Sequence, residues 1–501
     1  MGDADTLTLC LLTHEHDVRE VLVDPHPQTA EIASWSASAL TEHLAAGDIT
    51  SVAYVESLIE RAQAIDDESS SVALRSIAAL SDDAINQARE RDRERRDGQP
   101  RGPLHGIPVL VKDNIEAIGL PGAAGSTALT SSGRDAPLVS SLRQAGAIIL
   151  GSTNLSQWAN IRSPRSSSGY SARGGLVVNP WALDRSAGGS SSGSGAAVAA
   201  GLAPIAIGTE TDGSIVCPSS LNGVVGLKPT VGAISRGGIV PISHSQDSPG
   251  PMARTVADIE LCTRALMSVS EASNVRIVDA TNWRTGHPAT DAIINDVVFK
   301  LGRNTNITRR KANESSNEVG DDELHVLLAE LKDGLDTYLG SRPEATVRSL
   351  VEVIDYENQN SGTEMAHFGH EFFELAVKSG GTNTSAYFDA RRRNLDWATT
   401  TLNDLLEGHS VAIAAAYGPA WKIDLVNGDQ VSHSSTSIQA TAIAGWPILC
   451  IPVGLVDGLP VGLTMFSRPG DEAELLAAAK LVEREFEGVE FRPTLRTPTR
   501  G

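Results

Sequence analysis

Apolar residues keep a helical period near the start of the chain and give way downstream to short runs bounded by Gly, Pro and Asn. Between Ser36 and Asp66, residues Leu40, Leu44, Val52, Val55, Leu58 and Ile59 recur at helical spacing, interrupted by AAGDITS. That break predicts one helix ending near Gly47 and a second capped by Thr50 or Ser51. A third helix is predicted from Asp82 to Arg96, where ARERDRERRDG alternates in sign as a solvated face does. From Gly102 the texture changes: HGIPVLVKDNI and AGAIILGSTN read as buried strands between helices. Ala196 to Gly208 reads as a buried helix followed by a strand, too short for a membrane span and holding Gly201 and Pro204. The stretch from about Val269 to Asp322 is polar and poor in periodic pattern, and it predicts a surface excursion without chemistry. Helical texture returns over Asp322 to Leu339 and Thr346 to Trp397. AIAGWPILCIPVGLVDGLPVGLTMF then resumes the strand pattern, with LVDGLP as a hairpin turn. The pattern predicts an α/β core closing around a helical insert, after an irregular opening of about thirty residues.

Composition narrows the function. The 501 residues are 41% hydrophobic and 21% charged, enough for a large core and unlike a collagenous, disordered or disulfide-scaffold chain. Only 4% are aromatic while 46 are glycine, which favours close backbone packing over a surface that stacks bases. A formal charge of −21 repels phosphate backbones and anionic lipid, so neither nucleic acid nor membrane is an expected partner, and a cytoplasmic protein is expected. Cys10, Cys217, Cys262 and Cys450 lie far apart, and they predict free thiols rather than a disulfide framework or a metal site. The opening MGDADTLTLCLLTHEHD is acidic where a secretion signal needs positive charge.

The densest chemical signal is AGGSSSGSGAAVAAGLAPIAIGTETDGSIVCP, Ala187 to Pro218. As a phosphate cradle it lacks the Lys that should follow the second glycine. As a nucleophile elbow, Gly189-Ser190-Ser191-Ser192-Gly193 fits G-x-S-x-G with Ser191 as nucleophile, but no histidine stands in a strand-end setting that marks it as the base. A serine-rich helix cap without chemistry fits as well. Lys112 adds a second signal. It directly follows an apolar strand-like run, where a lysine must lose its charge or find a partner such as Asp113.

Lys112 in HGIPVLVKDNI, the GGSSSGSG loop and TETDGSIVCP, with RGPLHGIPVLVKDN, AGSTAL, GSTNLSQWAN, NGVVGLKPTVG and DSPGPMARTVAD around them, resemble the amidase signature family. The likeness runs from about Ser36 to Phe486, with the middle insert unmatched. It implies an α/β fold, one large domain over 31–497 with a central mixed sheet flanked by helices, a variable polar insert at about 269–322, and residues 1–30 as an extension. It also implies amide hydrolysis through an acyl-enzyme and a Ser-cisSer-Lys triad, with Ser214 as nucleophile, Ser190 as bridge and Lys112 as base. Thr211, Asp212 and Gly213 would supply oxyanion N–H groups, and no cofactor or metal is called for. Ser191, Asn154, Trp158 and Trp421 are candidate substrate contacts, while Arg185 reads as an anchor for the loop.

The physics suits those roles. A lysine of ordinary pKa, about 10.4, is neutral in about one molecule in 2,500 at pH 7, so burial must depress it before it serves as a base. The chain departs from the commoner family turn in carrying Asp212 where a glycine stands and Val216 where an arginine stands. This version, with SARGGLVVNPWALDRS and YGPAWKIDLVNGD, is most similar to the peptide-amidase-like branch, which implies a small amide or peptide C-terminal amide as substrate. A glutamine-hydrolysing subunit of an amidotransferase, and an aryl or aliphatic amide hydrolase, are the alternatives. A silent binding protein that keeps the fold is disfavoured by the intact Lys112, Ser190 and Ser214, and a homo-oligomer is compatible with the chain.

Overall fold

Caps read from the sequence open the described chain. Ala37–Ala46 (α1) starts on Ser36, whose side chain accepts the Ala39 N–H, and ends at Gly47 with φ +80°. Ser51–Ile65 (α2) starts on Thr50, which accepts from Ala53. Ala84–Arg96 (α3) carries the alternating charges, with Glu90 and Glu94 paired to Arg91 and Arg101. The structure, a computed structural model, describes residues 31–486 apart from 132, 273, 343 and 344, together with 491–493 and 495. The predicted 1–30 extension, Cys10 and the end of the predicted domain lie outside the described residues.

The apolar runs become one sheet: Ile77–Leu80 (β1), Pro108–Lys112 (β2), Ile148–Thr153 (β3), Ile205–Glu210 (β4), Val225–Lys228 (β5), Ser248–Ala253 (β6), Ile277–Ala280 (β7), Ile307–Arg310 (β8), Val411–Ala415 (β9), Ile448–Val456 (β10) and Leu459–Ser467 (β11). Their order is β1-β3-β2-β4-β6-β5-β10-β11-β9-β7-β8. The sheet is mixed: β2 runs parallel to β3 and β4, β7 runs parallel to β8 and β9, and the other neighbours are antiparallel. Both faces are covered over the middle of the sheet, which is why the central strands β2, β3, β4 and β9 read as largely apolar runs rather than alternating ones. In β10, Leu449, Ile451 and Val453 join the larger core while Ile448 and Cys450 join the cluster on the other side. The β10–β11 turn holds Asp457 and Gly458 at φ +50° and +78°, the left-handed pair that the LVDGLP reading requires.

Helices flank the sheet. They include Ser192–Ala199 (α4), Val216–Asn222 (α5), Val256–Leu266 (α6), Pro288–Leu301 (α7), Asn317–Gly340 (α8), Leu350–Gln359 (α9), Glu371–Lys378 (α10), Ser385–Leu405 (α11) and Glu472–Arg484 (α12). The polar stretch read as an excursion is instead built into the core, because it supplies β7, β8 and α7. Its strands are four residues long and β8 forms the half-exposed edge, so they leave little periodic signal. Helix α7 shows the pattern only in Ile294, Val297, Val298 and Leu301. The helical insert forms its own core, in which Leu331, Leu335 and Phe373 pack on Ala123, Leu129 and Trp158, and this roofs the carboxyl end of β2 and β4.

Candidate active site

Lys112 closes β2, fully buried, with Nζ 2.7 Å from Ser190 Oγ, 2.9 Å from Thr209 Oγ1 and 3.2 Å from the Thr209 carbonyl. Burial pushes its ammonium down to about 7, against the opposing fields of Asp247 and Glu210. The predicted pairing with Asp113 does not form. Asp113 accepts the Gly125 N–H at 3.0 Å, and burial lifts its carboxyl to about 6. Asn114 Nδ2 donates to Thr209 Oγ1 at 3.0 Å and so orients the hydroxyl that faces Lys112.

The Gly/Ser loop owes its composition to close approach. A Cβ on Gly193 would lie 2.2 Å from the Ser76 carbonyl oxygen and 2.4 Å from that of Asn154, so only glycine lets α4 start against the end of β3. The Gly189–Ser190 peptide bond is cis. The loop is tied to the next turn where the Ser191 N–H donates to the Ser214 carbonyl at 3.1 Å. That turn, Thr211 to Ser214, follows β4, and Gly213 takes φ +74° with the Tyr417 hydroxyl where a Cβ would stand. Glu210 Oε2 accepts the N–H groups of Ile215 and Val216 at 2.6 and 2.8 Å, which fixes the turn to the start of α5. Thr211 Oγ1 donates to Asp247 at 2.6 Å, while the N–H groups of Thr211 and Asp212 meet no acceptor among the described residues.

Ser214, 8% exposed, opens into a cavity of about 260 Å³. Gly189 and Asp212 flank it, Leu327 of α8 forms the roof, and Tyr417, Trp421 and Asp429 form the side. Trp421 thus lines the cavity, its Nε1 donating to Asp429 at 3.1 Å. The other three candidate contacts serve packing. Ser191 Oγ donates to the Thr209 carbonyl and accepts its N–H, pinning the loop to β4, so the elbow reading has no nucleophile in the cavity. Asn154 holds the backbone of Arg75, Gly174 and Gly175. Trp158 is buried under the insert, bonded to Glu357 at 2.9 Å and edge-on to Phe373. Arg185 anchors the segment beside the loop by donating to the Ala420 carbonyl. Glu210, Asn114, Tyr417 and Asp429 were not singled out from sequence. Asp429 sits in the quoted YGPAWKIDLVNGD stretch, the one signal that pointed near it.

Among the described residues no group of three His, Cys, Asp or Glu side chains is placed to hold a metal ion, and no described helix is long and apolar enough to cross a membrane. Cys217, Cys262 and Cys450 are buried free thiols.

Known proteins share the fold. The native peptide amidase from Stenotrophomonas maltophilia superposes with a TM-score of 0.84 at 38% identity, covering 92% of this chain and 98% of that one. The peptide amidase PAM in complex with the competitive inhibitor chymostatin gives 0.86 at 38% identity, covering 93% and 99%. A glutamyl-tRNA(Gln) amidotransferase subunit from Symbiobacterium thermophilum is 32% identical over 498 residues, covering 92% of this chain and 98% of that one. The amidase family pattern matches residues 53–476, and with near full-length relatives on both sides of it the chain belongs to the amidase family.

Proposed function

We propose that Ser214, Ser190 and Lys112 are the nucleophile, proton bridge and base of this amidohydrolase, and that its substrates are C-terminal amides of peptides. The observation that carries the reading is the contact of Lys112 Nζ with Ser190 Oγ at 2.7 Å, in a buried setting where no carboxylate among the described residues pairs directly with the lysine. A lysine at about 7 is neutral in a large share of molecules at neutral pH. Its lone pair accepts the Ser190 proton, Ser190 accepts that of Ser214, and Ser214 Oγ attacks the carboxamide carbon. The oxyanion forms against the N–H groups of Thr211 and Asp212, each worth about 3 kcal/mol in comparable acyl transfers, while the Gly213 N–H expected beside them is turned to the Glu210 carboxylate. The relay then runs backwards, the C–N bond breaks with release of ammonia, and water attacks the Ser214 ester along the same path to give the carboxylate.

The choice of substrate rests on the peptide amidase relatives and on the cavity wall, which carries Asp212 and Asp429 and no Lys, Arg or His. Free glutamine brings an α-carboxylate that would meet no cation there, so the glutamine-hydrolysing alternative fits the wall less well. The −21 charge fits an enzyme of the cytoplasm acting on neutral or basic amides, without nucleic acid. The test is ammonia release by the purified chain from peptide amides, glutamine, aliphatic amides and anilides, beside Ser214→Ala. Peptide amides should be turned over well above glutamine, and the variant should release none. Turnover confined to glutamine, or preserved in the variant, contradicts the reading.

A further inference from the structure

Asp212 stands two residues before Ser214; protein packs around it, yet it is exposed to the cavity. Among the described residues nothing donates a hydrogen bond to its carboxyl group. Asp429, the other acid in the wall, is engaged by the Ser168 N–H, the Ser168 hydroxyl and Trp421 Nε1. Behind Asp212 lie Glu323, held at 2.8 Å by each of Gln246 Nε2 and Gln439 Nε2, and Glu210; Lys228 is occupied by the Trp446 carbonyl. Burial and the charges of Glu323 and Glu210 push the Asp212 carboxyl well above the usual range.

An ionised carboxylate beside a developing oxyanion opposes the reaction unless a donor offsets its charge. No donor in the described wall reaches Asp212, so solvent meets it in the open cavity, and a substrate that displaces that solvent has to bring a donor of its own. At the reacting carbon the oxygen turns to the backbone N–H groups and the leaving nitrogen to the serine relay. The third substituent is the α-carbon, left facing the open cavity. We infer that Asp212 accepts the N–H borne by the substrate's α-carbon, so that the enzyme selects α-acylamino and α-amino carboxamides over amides with no donor at that position. This rests on Ser214 being the nucleophile.

The test compares N-acetylphenylalanine amide, the same amide methylated on the α-nitrogen, and 3-phenylpropanamide, with the wild-type chain and with Asp212→Ala and Asp212→Asn. For the wild type, kcat/KM should fall about 10- to 100-fold when the α-N–H is methylated or removed, the range of a hydrogen bond to a charged group. In Asp212→Ala that preference should shrink to about threefold or less, and Asp212→Asn, which keeps an acceptor oxygen, should retain an intermediate preference. A preference unchanged in Asp212→Ala overturns the inference, as does a wild type indifferent to the α-N–H, which needs no variant to fold. Failure of the Ser214 reading has a separate signature, turnover that survives Ser214→Ala.

Discussion

Lys112 and Lys228 are both fully buried at the ends of strands in one sheet, and burial pulls both ammonium groups down, to about 7 and about 8. Their surroundings differ. Lys112 meets the hydroxyls of Ser190 and Thr209, groups able to donate back to a neutral amine. Lys228 donates to the Trp446 carbonyl at 2.5 Å and lies in the fields of Glu210, Asp212 and Glu472, which all favour its proton. A carbonyl oxygen can only accept and offers no proton to a lone pair on Lys228, whereas Ser190 and Thr209 can offer theirs to Lys112, which also meets the Thr209 carbonyl. Equal burial thus suits Lys112 to the base role proposed for it and Lys228 to that of a cation balancing the carboxylate that fixes the Thr211–Ser214 turn. Burial alone does not make a catalytic lysine; the partner decides.

Removing the nucleophile gives the largest effect that bears on this contrast. Ser214→Ala should lower kcat by about 10⁴-fold or more with the thermal midpoint almost unchanged. Next comes the pair itself. Lys112→Ala should cost about 10³-fold or more in kcat/KM with a modest change in stability. Lys228→Met should instead cost about 3 kcal/mol of stability, because Glu210 is left as an uncompensated buried charge, with a kinetic loss at least about tenfold smaller than that of Lys112→Ala. Calorimetry and steady-state kinetics on the two variants test this directly, and equal kinetic losses would erase the distinction.

A smaller effect sharpens the assignment of the base. With neutral Lys112 as the base, as proposed, kcat/KM should rise with pH, about tenfold per unit below 7, and level off above it. The charge of Asp247 favours the Lys112 proton, so Asp247→Asn should move this limb to lower pH, by about one unit or less. A shift to higher pH would place the titration on another group.

The floor of the site was legible in the sequence and its walls were not. Gly193 and Gly213 are demanded by backbone approach and by positive φ, so they mark the loop and the turn in any reading of the chain. Lys112 was legible because an apolar strand is a costly place for a lysine. Leu327 reaches the cavity from α8, where an ordinary side chain in an ordinary helix pattern gives no local sign of its destination, while Tyr417, Trp421 and Asp429 all lie in YGPAWKIDLVNGD, a stretch that drew notice by likeness without showing which of its side chains face the cavity. Asn154 and Trp158 were read as substrate contacts because they sit beside a motif, yet a polar side chain there can equally hold its protein neighbours, and theirs do. The strands β7 and β8 were read as an excursion because four-residue strands carry too few positions to show a period.

The central claim is that Lys112, acting through Ser190, activates Ser214. Its most direct test is the rate at which a fluorophosphonate labels the chain between pH 5.5 and 9, with the labelled serine located by mass spectrometry, in the wild type and in Lys112→Ala. The account predicts labelling at Ser214, with a rate that climbs through about pH 7 in the wild type and is slow and without that rise in the variant. Labelling at Ser191, or an unaltered profile without Lys112, would contradict it.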